Sequence, residues 1–183
     1  MIASAFTYRN AARIVQIVVL SSVEVDIHEN GRLDLPNSLL RRLDFAVATV
    51  HSAFGLGREK QTERLLRAMD NPCLAVLAHP TGRLIGEREG LDIDFERVLM
   101  AARERSALIE VNGQPDRLDT DEWHYKLAKE IGVRLALSTD AHGTADLDFM
   151  RYAVDQAWRG WLEPADIIKT RNLVDLKTAL RRP

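Results

Sequence analysis

The sequence has little of several features that would decide its class at once. It contains a single cysteine, Cys73, so no disulfide can form within the chain, which favours a reducing, cytoplasmic setting. No apolar run approaches the roughly 20 residues that span a bilayer. The start of the chain lacks the early positive charges and the cleavage site of a signal peptide. We therefore expect neither a membrane span nor a targeting segment.

Strong charge and several well-known motifs are also missing. The net charge is −2 and the pI is near 6.2, so the chain lacks the overall basic field of many nucleic-acid binders, although local arginine clusters can still hold phosphate. We find no GxxxxGK[ST] or GxGxxG loop, no Gly-x-Ser-x-Gly elbow and no Cys/His pairing. The sequence therefore offers no support for nucleotide-driven or covalent chemistry.

What the chain does have is a series of short apolar runs. Its 183 residues, 46% of them hydrophobic, suit one globular domain. Five runs rich in Val, Ile, Leu and Ala predict strands, and most are apolar throughout, which is typical of a parallel sheet buried on both faces. The predicted strands are 15–27, 44–50, 73–78, 107–111 and 133–139.

Helical patterns separate these runs. A capping-box-like pair, Asp119 and Glu122, precedes one of them, and Leu147, Met150 and Val154 share one side of another. Strand and helix alternate so often that we predict an α/β fold, either a (β/α) barrel or an open doubly wound sheet. The predicted helices are 58–70, a segment after Asp94, 120–130, about 144–158, and one or two helices within 164–180.

Nearly every predicted strand ends in a side chain that can bind metal or phosphate. In a β/α barrel the C-terminal strand ends converge on the face that carries the active site, so we expect these groups to meet. A mixed set of imidazoles and carboxylates suits Zn²⁺, Mn²⁺ or Fe²⁺ rather than Ca²⁺. Two metals need a bridging carboxylate, for which Glu24 is the candidate. The strand-end residues are Glu24, Asp26, His51, His79, Asn112, Asp140 and His142.

Each of these residues also has an ordinary structural explanation. A glutamate on an alternating strand usually faces solvent, and a histidine near an apolar run is usually hydrogen-bonded in the core. Asp140 also suits a helix N-cap. The shared position at strand ends favours function over all of these separate explanations.

The predicted loops and helices around four further polar residues indicate where these side chains lie. Arg83 and Arg117 follow two of the strand ends and lie within plausible reach of a phosphate, although loop arginines are often only solvated. His28 lies in a turn and His124 in a predicted helix, so both are expected at the surface.

Taken in order, the segments resemble the PHP (polymerase and histidinol phosphatase) domain, and more narrowly the version at the C-terminus of bacterial family X DNA polymerases. The HPTGR and RLD segments are typical of the polymerase-linked branch, whereas TDAH is shared more widely. The resemblance covers about residues 20–180 and rests on VEVDI, ATVHSAF, QTERLLRAMDNP, LAHPTGRLIG, EVNGQPDRLD, LSTDAH and WRGWL.

This resemblance implies a distorted (β/α)₇ TIM-like barrel with a trinuclear metal centre that hydrolyses phosphoesters. For this chain it implies an incomplete barrel that lacks its first strands, with residues 1–183 as a single partial domain and 1–20 as a divergent N-terminal segment. The implied activity is Mn²⁺-dependent 3′-5′ exonuclease and DNA end-processing, with DNA or another phosphoester as substrate.

The resemblance also implies roles for individual residues. Glu24 matches the bridging carboxylate and shares one metal position with His51 and His79. Asp140 matches a second position and His142 a third. Glu24, Asp140 and Arg83 would be catalytic, while Arg83, Asn112 and Arg117 would bind substrate.

One part of the family pattern has no counterpart here. The family opens with a His-x-His strand and further histidines upstream of the Glu24 segment, whereas residues 1–23 contain no histidine. Three functions therefore stay open. The chain is a metal-dependent nuclease, completed by a second chain or N-terminal fragment if required; a catalytically impaired remnant that binds metal or partners; or a histidinol-phosphate-type phosphatase.

Overall fold

Strands and helices alternate along the chain in a computed structural model that describes residues 17–181. Residues 1–16 of the predicted N-terminal segment, with the start of the first predicted strand, lie outside the described residues. The strands are β1 (Ser22–Asp26), β2 (Phe45–Thr49), β3 (Leu74–Leu77), β4 (Leu108–Asn112) and β5 (Leu135–Ser138). The helices are α1 (Asn37–Leu40), α2 (Arg58–Met69), α3 (Phe95–Glu104), α4 (Glu122–Ile131), α5 (Met150–Arg159) and α6 (Leu173–Leu180).

The five strands form one parallel sheet in the order β1-β2-β3-β4-β5. Doubly wound sheets reverse their strand order at a switch point, whereas barrels keep sequence order, so the arrangement is that of part of a TIM-like barrel. A single parallel bridge between Leu135 and Ile167 extends the β5 edge. Within residues 17–181, no helix has the length and apolar character needed to cross a membrane.

The main core lies between one face of the sheet and helices α2 to α5. Because side chains alternate along a strand, every second residue of β1, β2, β4 and β5 points to these helices, whereas on β3 Leu74 and Leu77 do so. Complete burial of a Val, Leu or Ile side chain contributes about 1.5–3 kcal/mol, so this layer provides most of the stabilisation. Its members include Val25, Ala48, Leu77, Ile109, Leu135, Leu65, Val98, Leu99, Tyr125 and Ala157.

The other face of the sheet changes character along its strands. Near the strand starts it is apolar, and Val76, Leu108 and Ala136 pack there against Ala179 and Leu180 of α6. Towards the strand ends the same face becomes polar. It carries Glu24 and Asp26 on β1 and Glu110 and Asn112 on β4. The polar end of this face is where the strand-end residues meet.

The prediction of one helix over residues 144–158 is wrong in its first half, and the residues that face the core are not the ones that the apolar pattern picked out. Thr144–Phe149 is a 3₁₀ helix, and only Met150–Arg159 is α-helical. Leu147 and Val154 are 61% and 48% exposed, whereas Ala153, Gln156 and Ala157 face the core. The small side chains of Ala153 and Ala157 let α5 approach the sheet closely, and a search for large apolar residues misses them.

That close approach gives the first prediction, which concerns Gly113. A Cβ at this position would lie 2.7 Å from the main-chain oxygen of Phe149 and 3.0 Å from Cβ of Ala153. Gly113→Ala must therefore push α5 away from β4, and we expect the free energy of unfolding to fall by about 1–3 kcal/mol in urea denaturation. In the control Gly55→Ala, the added Cβ would have nothing within 4 Å. The two variants should differ clearly, and equal stabilities would contradict the tight packing.

Candidate metal centre

Three strand-end side chains converge at the polar end of the sheet. One oxygen of Glu24 lies 3.3 Å from Nε2 of His51 and 3.2 Å from Nε2 of His79, and the three atoms lie within 4.8 Å of one another. Ligands placed about 2.0–2.2 Å from Zn²⁺ in tetrahedral geometry lie roughly 3.3–3.6 Å apart. The set of two imidazoles and one carboxylate therefore fits a single divalent ion in both its chemistry and its spacing.

Each imidazole also has a polar partner besides Glu24. Nδ1 of His51 lies 3.0 Å from Oδ1 of Asp26, and the hydroxyl of Thr49 lies 3.0 Å from Nδ1 and 3.2 Å from Nε2 of His79. Metal-binding histidines usually direct their second ring nitrogen at such a partner, which fixes the tautomer and the ring orientation. Both histidines thus present Nε2 to the same point beside Glu24.

Burial differs among the three ligands. His79 is 2% exposed, whereas the side chains of Glu24 and His51 are 39% and 44% exposed. The centre is consequently closed on the side of β3 and open on the side of β1, where a substrate can approach.

Glu24 and His79 shift each other's pKa towards the charged forms. The hydrogen bond with His79 is the largest effect on Glu24 and lowers its pKa, despite the opposing effect of burial. For His79, burial alone would lower the pKa, but the hydrogen bond with Glu24 and the charge of Glu110 outweigh it and raise the pKa. Because a metal requires the neutral imidazole, an ion and this proton compete for the same nitrogen.

Glu110 is a site residue that the sequence reasoning missed. It is 6% exposed, and its Oε2 accepts hydrogen bonds from the main-chain N–H of His79 at 2.6 Å and from Nδ2 of Asn112 at 3.1 Å. Burial raises the pKa of this carboxyl. The available signal was one acidic residue in an apolar strand, two positions before Asn112 and therefore on the same face.

Two of the candidate residues have unusual backbone conformations. The φ angle is +28° at His79 and +50° at Asp140. Such positive values are uncommon for residues other than glycine and cluster at functional sites, where the surrounding contacts hold them. The bond from the His79 N–H to Glu110 is one such contact.

Asp140 belongs to a second polar group beside the three ligands. Its Oδ2 lies 3.2 Å from Nε of Arg117 and accepts a long hydrogen bond from Asn112 at 3.4 Å. Nη1 of Arg117 is buried and has no hydrogen-bond partner among residues 17–181. A buried guanidinium donor without a partner carries a desolvation cost.

His142 lies at the rim of the site. Its side chain is 81% exposed, and its Nδ1 donates to the main-chain oxygen of Asp140 at 2.8 Å, whereas Nε2 has no hydrogen-bond partner within residues 17–181. It borders an open cavity of about 420 Å³ that also contacts Glu24, His51, Arg117 and Asp140. The structure thus places metal-competent and phosphate-competent groups around one cavity.

Arg83 contacts the loop that carries Arg117. Its guanidinium donates to the main-chain oxygens of Arg117 and Leu118. The buried carboxylate of Asp119 accepts from the main-chain N–H of Arg83 at 3.1 Å and from Thr81 at 2.9 Å. In this arrangement Arg83 supports the position of Arg117.

The predicted capping role of Asp119 is wrong. Helix α4 begins at Glu122 and is capped by Asp121, whose side chain accepts from the N–H of His124. Asp119 is buried in the contacts with the Thr81 segment, and spacing alone does not separate two acidic residues so close to one helix start.

The two histidines expected at the surface lie away from the metal ligands. His28 is exposed and pairs with Asp34 at 3.0 Å. His124 is half-buried, because its ring packs on Phe95 with 4.3 Å between ring centroids.

The contact between Asp26 and His51 gives the second prediction. Asp26→Ala removes the carboxylate that orients the His51 ring, and loss of such a partner typically weakens metal binding by about 10–100-fold. Asp26→Asn keeps an acceptor oxygen and should weaken binding less. Titration of the unmodified protein and both variants with Zn²⁺ against a competing chelator measures the three affinities. Equal affinities would show that Asp26 does not position His51.

Comparison with known proteins shows which proteins this chain is similar to. No protein-family model matches the chain. The DNA polymerase/3′-5′ exonuclease PolX of Bacillus subtilis (strain 168) is 38% identical over 164 residues, 90% of this chain and 29% of that protein. Two probable phosphatases are also similar. That of Thermoanaerobacter sp. (strain X514) is 34% identical over 145 residues, 74% of this chain and 57% of that protein. That of Caldicellulosiruptor saccharolyticus is 30% identical over 182 residues, 92% of this chain and 71% of that protein.

Proposed function

The chain belongs to the PHP (polymerase and histidinol phosphatase) family, related to the domain of family X DNA polymerases, and from that premise we propose that it hydrolyses phosphoesters with a divalent metal ion. The observation that carries the proposal is the convergence of Glu24, His51 and His79 beside an open cavity. The chain spans 29% of the length of the polymerase and 57% of the length of one phosphatase. The activities of those complete proteins are therefore proposals for this chain.

Each ligand of the proposed ion has a defined task. The ion held by Glu24, His51 and His79 would polarise a phosphoryl oxygen and make a water more acidic. Glu24 supplies the negative charge of the site, and the two imidazoles supply neutral nitrogen ligands. Asp26 holds the His51 ring in place, so the chain's contribution is the fixed direction of the three donor atoms.

We assign the phosphate contact to Arg117. Arg117 lines the open cavity together with Glu24 and His51, and a guanidinium matches phosphate oxygens in geometry and charge. Arg83 keeps the loop of Arg117 in place through two main-chain oxygens. Asn112 is fully buried behind Asp140, to which its amide donates, so a substrate would contact it only after the site rearranges. Arg117 would thus counter the charge that develops on the phosphate in the transition state.

Asp140 and His142 are proposed to contribute to further metal positions. Asp140 is paired with Arg117 in this structure, so an ion at Asp140 would have to weaken that contact. Mn²⁺, Zn²⁺ and Fe²⁺ all suit the donor set. Completion of the centre by a second chain or an N-terminal fragment stays a prediction, as does a cytoplasmic setting.

We propose the 3′ end of DNA as substrate, with a phosphomonoester as the alternative because two similar proteins carry the name probable phosphatase. The test supplies Mn²⁺, Zn²⁺ or Fe²⁺ to the purified protein and compares a 5′-labelled single-stranded oligonucleotide with a small phosphomonoester. We expect stepwise shortening of the oligonucleotide with Mn²⁺, and none in His51→Ala. The control is His28→Ala, which changes an exposed histidine outside the centre.

The same preparation distinguishes an enzyme from an impaired remnant. Metal content per chain is measured by elemental analysis after dialysis without chelator. We expect at least one ion in the unmodified protein and at least one ion fewer in His51→Ala. Bound metal without hydrolysis of either substrate would favour the remnant, and preferential hydrolysis of the monoester would favour the phosphatase.

A further inference from the structure

A larger cavity lies at the opposite end of the sheet from the metal centre. Its volume is about 590 Å³, and Ser106 and Arg134, which line it, come just before β4 and β5. The metal centre lies at the far ends of the strands, which rise about 3.3 Å per residue. Strands of 4 and 5 residues therefore separate the two sites by roughly 13–17 Å. A phosphate in this cavity cannot be the one that reacts at the metal centre.

Three arginines line the cavity. Arg134 and Arg181 make no side-chain hydrogen bond or ion pair within residues 17–181, and Arg171 donates from one terminal nitrogen to the main-chain oxygen of Ala165 at 2.8 Å. Like charges that share a cavity repel one another, and the repulsion is relieved when an anion binds between them. Their convergence is notable because the whole chain has a net charge of −2.

The remaining lining residues are compatible with an anion. Asp175 is the one acidic residue in the lining, and its Oδ2 accepts from Asn172 at 2.9 Å, so three positive charges face one negative charge. The hydroxyl of Ser106 provides a further donor. Ile168 and Ala179 are buried and add apolar surface to the lining.

We propose that this cavity binds a phosphate-bearing ligand of about nucleotide size. Arginine binds phosphate through two parallel N–H donors, which makes it the preferred residue for this group. Ligand sites typically have volumes of about 300–1,000 Å³, so this cavity has room for more than a bare phosphate ion. The phosphate can belong to a free nucleotide or to a nucleic-acid backbone, and the site is independent of hydrolysis at the metal centre.

The test measures binding to metal-free protein by calorimetry at constant ionic strength. The probes are inorganic phosphate, a nucleoside 5′-monophosphate and a short single-stranded oligonucleotide. We expect saturable binding that weakens about tenfold or more in Arg134→Ala and in Arg181→Ala, since each loses a charge-assisted contact. Both arginines are exposed, and circular dichroism of the variants verifies the fold.

Two controls keep the sites apart. Arg32→Ala removes an exposed arginine outside the cavity, and Glu24→Gln changes the metal centre, so neither should alter binding. Tighter binding of the mononucleotide than of inorganic phosphate supports a free nucleotide, and tightest binding of the oligonucleotide supports a backbone phosphate. Absence of saturable binding, or equal binding by both cavity variants and the unmodified protein, would overturn the proposal.

Discussion

Glu24→Gln is expected to weaken the binding of a divalent ion by more than about 100-fold. Loss of a partner that only orients a metal ligand costs about 10–100-fold, and Glu24 is itself a proposed ligand. The substitution keeps the volume of the side chain but removes the negative charge beside His51 and His79. Competition with a chelator of known affinity measures the effect, together with the increase in melting temperature that the metal produces in the unmodified protein.

The design separates a lost ligand from a damaged fold. Glu24 is 39% exposed at the side chain, so without metal its replacement should change the free energy of unfolding by no more than about 1 kcal/mol. Glu87→Gln makes the same chemical change in an exposed loop and should leave metal affinity unaltered. Undiminished affinity in Glu24→Gln would mean that the ion binds elsewhere.

The sheet was predictable because burial on both faces leaves a simple mark in the sequence. Continuously apolar runs followed by a polar residue predicted five strands, and all five are present, although residues 17–21 of the first predicted strand are not part of β1, which begins at Ser22. Since parallel strands end on the same side of a sheet, the same observation predicted that Glu24, His51 and His79 would meet, and their ligand atoms lie within 4.8 Å. The roles of these residues in catalysis stay predictions.

The features that sequence reasoning missed depend on tertiary contacts. Glu110 resembles an ordinary strand glutamate until His79 and Asn112 are seen to donate to its buried carboxylate. Asp119 and Asp121 look equally suited to cap α4, and only the packing of the Thr81 segment against Asp119 separates them. Local spacing cannot decide between partners that lie about forty residues away.

Arg117 links the site to its substrate in a way that the metal ligands do not. Its Nε forms an ion pair with Asp140 at 3.2 Å, it lines the cavity beside Glu24 and His51, and its Nη1 is buried without a partner among the described residues. Removal of one donor that stabilises a transition-state charge typically lowers kcat by about 10²–10³. Arg117→Ala should therefore lower the kcat for hydrolysis of the phosphoester by that factor. The amount of metal bound by Glu24, His51 and His79 should stay unchanged.

Arg117→Ala should thus lose activity and keep its metal, whereas Glu24→Gln should lose its affinity for the metal. Arg117→Lys retains the charge but lacks the forked donors, so its kcat should lie between those of the alanine variant and the unmodified protein. Arg58→Ala, which changes an exposed arginine paired with Asp92, is the matched control. If Arg117→Ala loses metal as readily as activity, Arg117 supports the metal centre and does not contact the phosphate. An unchanged kcat would remove Arg117 from the mechanism and leave its unpaired buried nitrogen to be explained by the fold alone.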